Sequence, residues 1–430
     1  MVAMGRLVII GIDGFSYLMA KHLSDIGVMP ELADMLKSGT ARAMESSIPE
    51  VSSTAWTSIV TGIGPGAHNV YGFTDLIDGS YVLGFTSSRT VKSLPSWQQQ
   101  GSARSLIINV PQTYPARPLA GILVAGYVAL DLERAVYPPD RVSLLKEHSY
   151  EIDVDMSIAT TYRDRFYDEL IRVLRTRAQV LNRLWKEESW DQVMFVITGT
   201  DRLNHYCWTD YEDTSASYHQ RFLDFYREVD TVLGQITNQL KDDDSLVLVS
   251  DHGFERQDMS VNLNTLLREA GFLRLRNDER ISHASILPET KAFAMDPGRI
   301  YLHRADRYPG GSVREDESTE IMEKLTAFFL KTEVKGKRIV RKVFKGSDIY
   351  SGPMIHRAPD LICMPEKNIA FSARIQSDEI VEETVLAGKH SFPDALFFCR
   401  TQGDIVMPET MRVESVLPVL EECGAFSIKK

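Results

Sequence analysis

The sequence predicts an α/β fold built around a mostly parallel central sheet. Three observations lead there: four short, near-continuous apolar runs, long amphipathic helical segments between them, and a strand–helix–strand order in the middle of the chain. The runs are Leu7 to Ile12, Ser105 to Val110, Gln192 to Ile197 and Ser245 to Val249. They do not alternate between apolar and polar, which is the pattern of strands covered on both faces.

The helical segments follow the 3.6-residue period. One covers about 164–187, with Phe166, Leu170, Leu174, Leu181 and Leu184 on one side. Another covers about 216–240, with Phe222, Phe225, Val229, Val232, Ile236 and Leu240 on one side. It lies between the last two apolar runs, so the three elements read as a βαβ unit with a right-handed crossover. The stretch 257–345 is different. It is charged and punctuated by Pro297-Gly298 and Pro309-Gly310-Gly311, with one more amphipathic helix over Glu315–Lys331. The expected division is an α/β core of 1–256 and 346–430 and an inserted cap of 257–345 over the active site.

At 430 residues the chain can bury a large core without disulfides. Its 48 basic and 59 acidic residues leave a net charge of −11. That argues against a stable nucleic-acid partner, which needs clustered Lys and Arg. A small phosphorylated substrate remains open, because bound cations reverse the local field. Cys207, Cys363, Cys399 and Cys423 are scattered and form no CxxC pair, as expected of reduced thiols. Residues 1–6 do not read as a secretion signal, and no run is long enough to span a membrane. The expected location is cytoplasmic, with no membrane partner. Oligomeric state is not legible.

The chemistry lies at the strand ends. The run 7–12 ends in Asp13-Gly14, the run 192–197 leads through Thr198-Gly199-Thr200 into Asp201, and the run 245–249 ends in Ser250-Asp251-His252-Gly253. Ligands of open α/β sheets bind at the carboxyl ends of strands. Three carboxylates gathered there repel one another, and divalent cations are the simplest neutralisation. His252 follows Asp251, and His205 lies four residues after Asp201, on the same face if a helical turn starts there. His390, in Gly388-Lys389-His390, could add a third imidazole. Mixed Asp and His donors suit zinc, with manganese or iron as alternatives. Each piece is weak alone: a strand-end Asp is often only a helix cap, and DxxxH is common. Their joint order is far more specific.

The segment 52–62, Ser52-Ser53-Thr54-Ala55-Trp56-Thr57-Ser58-Ile59-Val60-Thr61-Gly62, reads as a helix opened by three hydroxyls. A helix N-terminus favours an anion, but an ordinary cap would look the same. Composition does not choose among Ser52, Ser53 and Thr54.

Together these residues resemble the alkaline phosphatase superfamily, specifically its type I phosphodiesterase/nucleotide pyrophosphatase branch. The resemblance rests on Ile10-Gly11-Ile12-Asp13-Gly14, the 52–62 segment, Thr200-Asp201-Arg202-Leu203-Asn204-His205, Ser250-Asp251-His252-Gly253 and Gly388-Lys389-His390. Asn109-Val110-Pro111, Arg299-Ile300-Tyr301-Leu302 and Ala358-Pro359-Asp360-Leu361 support it. It implies a three-layer α/β/α fold with an inserted cap. It also implies two divalent metals, one held by Asp201, His205 and His390, the other by Asp13, Asp251 and His252. Counted back from Thr61-Gly62, the nucleophile falls on Ser52, bound to the second metal, with Ser53 as second choice. The implied activity is cleavage of phosphodiester or pyrophosphate bonds through a covalent phosphoseryl intermediate. A phosphonate hydrolase or a phosphotransferase of the phosphoglycerate-mutase type would use the same scaffold.

Two departures narrow this. The Asn that nucleotide pyrophosphatases carry after the nucleophile helix aligns near Phe73. The Arg that alkaline phosphatases place beside the nucleophile is replaced by Ser53, which disfavours a dedicated monoesterase. The Ser52-Ser53-Thr54-Ala55-Trp56 stretch lacks the Pro and Arg of a sulfatase. Among other polar residues, His68 reads as a loop-fixing group and Arg202 as either a phosphate contact or an ion-pair partner. Arg299 and His303, in or beside the inserted stretch, read as ordinary surface polarity, with substrate contact as the alternative.

Overall fold

A computed structural model describes residues 5–427. Residues 1–4 of the N-terminal stretch considered for a secretion signal lie outside this range. The chain divides into two compact units. The first comprises Met1–Ile63, Ser87–Glu255 and Leu386–Lys430, and the second comprises Gly64–Thr86 and Arg256–Val385.

Among the described residues, the main sheet of the first unit has eight strands: β1 (Leu7–Ile12), β2 (Thr40–Met44), β3 (Ser105–Val110), β4 (Gly121–Ala125), β5 (Val136–Tyr137), β6 (Gln192–Ile197), β7 (Ser245–Val249) and, after the short strands β8 (Gly253–Arg256) and β9 (Gly388–Ser391), β10 (Ala395–Arg400). Their spatial order is β2-β10-β7-β1-β6-β3-β4-β5. The centre is parallel: β1 runs between β6 and β7, with Leu7 beside Gln192 and Ser245. β3 runs parallel to β6 and β4. Antiparallel strands close both edges, β10 against β7 with β2 beyond it, and β5 against β4. Every residue of β1, β3, β6 and β7 is buried, which is why those runs carry no polar alternation.

Four helices matter for the site: α1 (Ser52–Thr61), α2 (Arg163–Trp185), α3 (Gly199–Glu212) and α4 (His219–Thr237). α2 and α4 bury the stripes read from the sequence, including Phe166, Leu170, Leu174 and Leu181 on one and Phe222, Phe225, Val229 and Ile236 on the other. α1 has no exposed side to leave polar, since all ten of its residues are buried. It stops at Gly62, whose φ of 72° suits the left-handed closing turn and whose N–H donates to the Ser58 carbonyl.

The second unit has its own apolar core, with Phe293, Tyr301, Leu325 and Phe329 fully buried. Its largest sheet pairs Ala292–Met295, Arg299–Leu302, Leu361–Pro365 and Val340–Lys345 in that order. This corrects the expected bounds of 257–345. Leu361–Pro365 pairs with strands on both sides, so residues 346–385 belong with this unit, and Gly64–Thr86 joins it as well. No helix among the described residues is long and apolar enough to cross a membrane.

Candidate metal centre

The carboxyl ends of β1, β6 and β7 meet as the strand order requires, because β1 lies between the other two. Asp13 leaves β1 with its N–H donating to the Ile197 carbonyl at the end of β6 (3.0 Å). Its own carbonyl accepts from Thr200 Oγ1 at 2.6 Å. Asp201 sits in the first turn of α3, which begins at Gly199, so His205 one turn later shares its face. Asp251 and His252 leave β7, and Ser46 Oγ donates to the Asp251 carbonyl at 2.6 Å. His390 lies on β9, which pairs with β8 directly after His252. Asn204 ties α3 to the turn after β1, donating to the Gly14 carbonyl at 2.9 Å while Tyr226 donates to its Oδ1 at 3.0 Å.

All six sequence-predicted Asp and His residues therefore converge. Asp201 Oδ1 lies 3.4 Å from His205 Nε2 and 3.2 Å from His390 Nε2, and the two imidazole nitrogens are 3.0 Å apart. His252 Nε2 lies 3.1 Å from Asp251 Oδ2, 3.7 Å from Asp13 Oδ1 and 3.9 Å from Asp201 Oδ1. Asp13, Asp251 and His252 form one set of potential donors for a cation. The Asp201 carboxylate with His390 forms another, to which either His205 or His252 can contribute.

Ser52 opens α1 beside this cluster. Its Oγ lies 3.1 Å from His252 Nε2 and 3.5 Å from Asp13 Oδ1. Ser53 and Thr54 are fully buried, with hydroxyls that find no hydrogen-bond partner among the described residues. Of the three hydroxyls at the start of α1, Ser52 is the one placed against the Asp and His side chains.

The residues fit a pair of cations for a specific reason. Each histidine turns Nδ1 to a main-chain carbonyl: His205 to Gly388 (2.9 Å), His252 to Gly253 (3.0 Å) and His390 to Glu50 (2.9 Å). A neutral imidazole that donates through Nδ1 has only a lone pair at Nε2. In that neutral form, three such lone pairs would face one another and three carboxylates, a repulsion that bound cations relieve. Asp251 Oδ2 is buried 3.1 Å from His252 Nε2 and finds no hydrogen-bond donor among the described residues.

The electrostatics agree. Burial, with Asp251 and Asp201 nearby, holds the Asp13 carboxyl well above the usual range. Burial works against the charged form of His252, but Asp251, Asp13 and Asp201 together raise it to about 10. Burial also opposes ionisation of Asp201, yet the His205 and His390 imidazoles and the Arg202 guanidinium keep its carboxyl well below the usual range. Burial pushes His205 down to about 4, leaving a neutral donor at physiological pH.

Other candidates go elsewhere. His68 lies in the second unit, where its Nδ1 accepts from the Val70 N–H at 3.1 Å, the loop-fixing role read from the sequence. Arg202 is an ion-pair partner, joined to Asp201 and Asp153. The reading of Arg299 and His303 as surface polarity is wrong, because both are completely buried in the second unit. Arg299 donates to the Asp296 and Thr74 carbonyls and the Tyr301 hydroxyl, and His303 is hydrogen-bonded to the Tyr81 hydroxyl. Sequence reasoning missed Trp56, whose Nε1 donates to Asp13 Oδ2 at 3.0 Å. Its spacing of four from Ser52 on a helix was the available signal.

Fold and site together define a hydrolase of the alkaline phosphatase superfamily that works with divalent metals on phosphoric ester bonds. Residues 7–393 match the type I phosphodiesterase / nucleotide pyrophosphatase family, and the chain belongs to that family. No curated protein matches it. Among solved structures it is similar to the phosphonoacetate hydrolase of Sinorhizobium meliloti 1021 in complex with phosphonoformate, at 15% identity over 98% of this chain and 96% of that one, with a TM-score of 0.65. It is also similar to murine ectonucleotide pyrophosphatase / phosphodiesterase 5, at 12% identity over 99% and 96%, with a TM-score of 0.54. At these identities the likeness is one of fold.

Proposed function

We propose that this chain hydrolyses phosphodiester or pyrophosphate bonds of a small phosphorylated substrate, with Ser52 as the nucleophile. The observation behind this reading is the Ser52 hydroxyl itself, 3.1 Å from His252 and 3.5 Å from Asp13 at the start of a helix. Asp201, His205 and His390 would hold one divalent cation, and Asp13, Asp251 and His252 the other. Bound there, two cations lower the pKa of a nearby hydroxyl and neutralise charge on phosphate oxygens. Zinc suits the mixed Asp and His donors, and manganese or iron could substitute.

The chain's own part is positional. Ser52 Oγ attacks phosphorus, the bond to the leaving oxygen breaks, and a phosphoseryl ester remains. Water then cleaves that ester and restores Ser52. The N-terminus of α1 faces the negative charge that builds at this point. The His rings cannot swing away, because their Nδ1 atoms are anchored to the main chain. The net charge of −11 favours a small substrate over nucleic acid. The four free, buried cysteines fit a reducing, cytoplasmic setting.

Ser52→Ala should keep two metal equivalents per chain by elemental analysis and lose turnover of bis-p-nitrophenyl phosphate. Wild-type turnover in that variant would overturn the assignment. A panel of diesters, nucleoside triphosphates, monoesters and phosphonates, with zinc and manganese compared, identifies the leaving group.

A further inference from the structure

The three carboxylates of the cluster differ in what holds the oxygen turned away from it. Asp13 Oδ2 accepts from the neutral indole of Trp56 at 3.0 Å, and Asp251 Oδ1 accepts from the main-chain N–H of Gly14 at 3.1 Å. Asp201 Oδ2 accepts from a guanidinium, Arg202 Nη1, at 2.7 Å. Its other oxygen, Oδ1, faces His205 and His390.

Arg202 is itself held on its other edge. Its Nε and Nη2 both donate to Asp153 Oδ2, at 3.0 and 2.8 Å, and the guanidinium lies over the Tyr127 ring, 4.2 Å from its centre. Only 13% of the Arg202 side chain and 15% of the Asp153 side chain are exposed, so solvent does little to weaken this pairing. The Asp153 loop is fixed in turn. Arg177, on α2, donates through Nε to the Glu151 carbonyl (3.0 Å), through Nη2 to the Ile152 carbonyl, and through Nη1 to Thr198 Oγ1 (2.9 Å). Thr198 precedes α3. A chain of contacts thus runs from α2 through the 151–153 loop to Arg202 and back to Asp201.

We propose that Arg202 is a positioning residue for the metal centre: by occupying Asp201 Oδ2 it limits that carboxylate to a single inward oxygen, and Asp153 and Tyr127 keep the guanidinium in the orientation this requires. The inference rests on the two-metal reading above. A carboxylate with both oxygens free can grip large, oxygen-seeking cations through both, whereas one oxygen beside two imidazoles suits a four-coordinate ion such as zinc. Lysine cannot replace the arginine, because a single ammonium point charge does not bridge two carboxylates as a planar fork does.

The test uses the full-length, metal-free protein, titrated with zinc against a chromophoric chelator to obtain two stepwise affinities. Wild type, Arg202→Ala, Arg202→Lys and Asp153→Asn are compared. Both Arg202 variants should lose roughly 10–100-fold on one equivalent, the scale seen when a partner of a metal ligand is removed, and keep the other unchanged. Asp153→Asn should weaken the same equivalent. Wild-type affinities in Arg202→Lys would show that charge alone suffices and overturn the proposal, as would two unaltered equivalents in all variants. If Arg202→Ala fails to fold, the other two variants carry the comparison. Failure of the wild-type protein to bind two ions would overturn the metal reading itself, which is a separate result.

Discussion

Trp56 acts on the site in two ways. Its indole N–H fixes Asp13, and its ring fills a space beside β1 that only a glycine leaves open. A Cβ built on Gly11 would stand 2.4 Å from Trp56 Cη2 and 2.8 Å from Val196 Cγ2. Gly11→Ala should therefore displace the indole or the strand, costing about 1–3 kcal/mol in denaturant unfolding and disturbing Asp13 with it. Trp56→Phe tests the hydrogen bond more cleanly, since much of the ring volume stays. It should fold and bind zinc roughly tenfold more weakly, and wild-type affinity would show that the indole bond is not what holds Asp13. His68 responds to pH rather than to metal. Burial lowers it to about 3, and its Nδ1 is already accepting from Val70. The folded ring stays neutral while an unfolded one takes up a proton below about pH 6.5. The unfolded state then binds more protons, so this group removes stability as pH falls from about 6.5 toward 3, at up to about 1.4 kcal/mol per pH unit, and is silent above that window. His68→Gln should flatten the acid limb of a stability-versus-pH curve; an unchanged slope would assign the acid sensitivity elsewhere. Asp13, Asp201, Asp251 and His252 were legible at this scale because they lie within a few residues of the end of an apolar run, and His205 because it sits one helical turn from Asp201; His390 gained meaning only from its order with the others. Trp56 and Asp153 were not, because their roles depend on partners 43 and 49 residues away.

Among the elements, legibility followed burial. β1, β3, β6 and β7 lie inside the sheet and read as unbroken apolar runs with their observed bounds. β4 and β10 are of similar length and nearly as buried, but each has a partly exposed residue at one end, and a short apolar run alone does not separate strand from buried helix. β5, two residues long, has no period to read. The second unit was drawn too short because pairing of Leu361–Pro365 with Arg299–Leu302 leaves no local trace in composition. Arg299 shows how that unit keeps its separate segments together. Its Nη2 donates to the Thr74 carbonyl at 2.8 Å, its Nε to the Asp296 carbonyl at 2.7 Å and its Nη1 to the Tyr301 hydroxyl at 3.2 Å, all without solvent. Arg299→Met leaves those acceptors buried without donors, a loss on the order of 3 kcal/mol. Limited proteolysis should then cut within 74–86, and a cleavage pattern like wild type would mean that other contacts hold the segment.

The whole molecule consists of two units with separate cores, and every candidate metal ligand belongs to the first. A cation that binds only the folded form stabilises what it binds by an amount set by its concentration over its dissociation constant, about 2.7 kcal/mol at a hundredfold excess. If the units unfold as separate cooperative blocks, removing metal should destabilise the first and spare the second. The sequence supplies a probe for this. All five tryptophans, Trp56, Trp97, Trp185, Trp190 and Trp208, lie in the first unit, while the second has tyrosines such as Tyr71, Tyr81, Tyr301, Tyr308 and Tyr350. Tryptophan fluorescence therefore follows the metal-binding unit alone, and far-ultraviolet circular dichroism follows both. Chelation should lower the fluorescence midpoint by several degrees and split the dichroism curve, with one limb moving and the other fixed. Added zinc should bring the moving limb back. Coincident midpoints by both probes, shifting together on chelation, would show that the two cores unfold as one and that metal stabilises the entire chain.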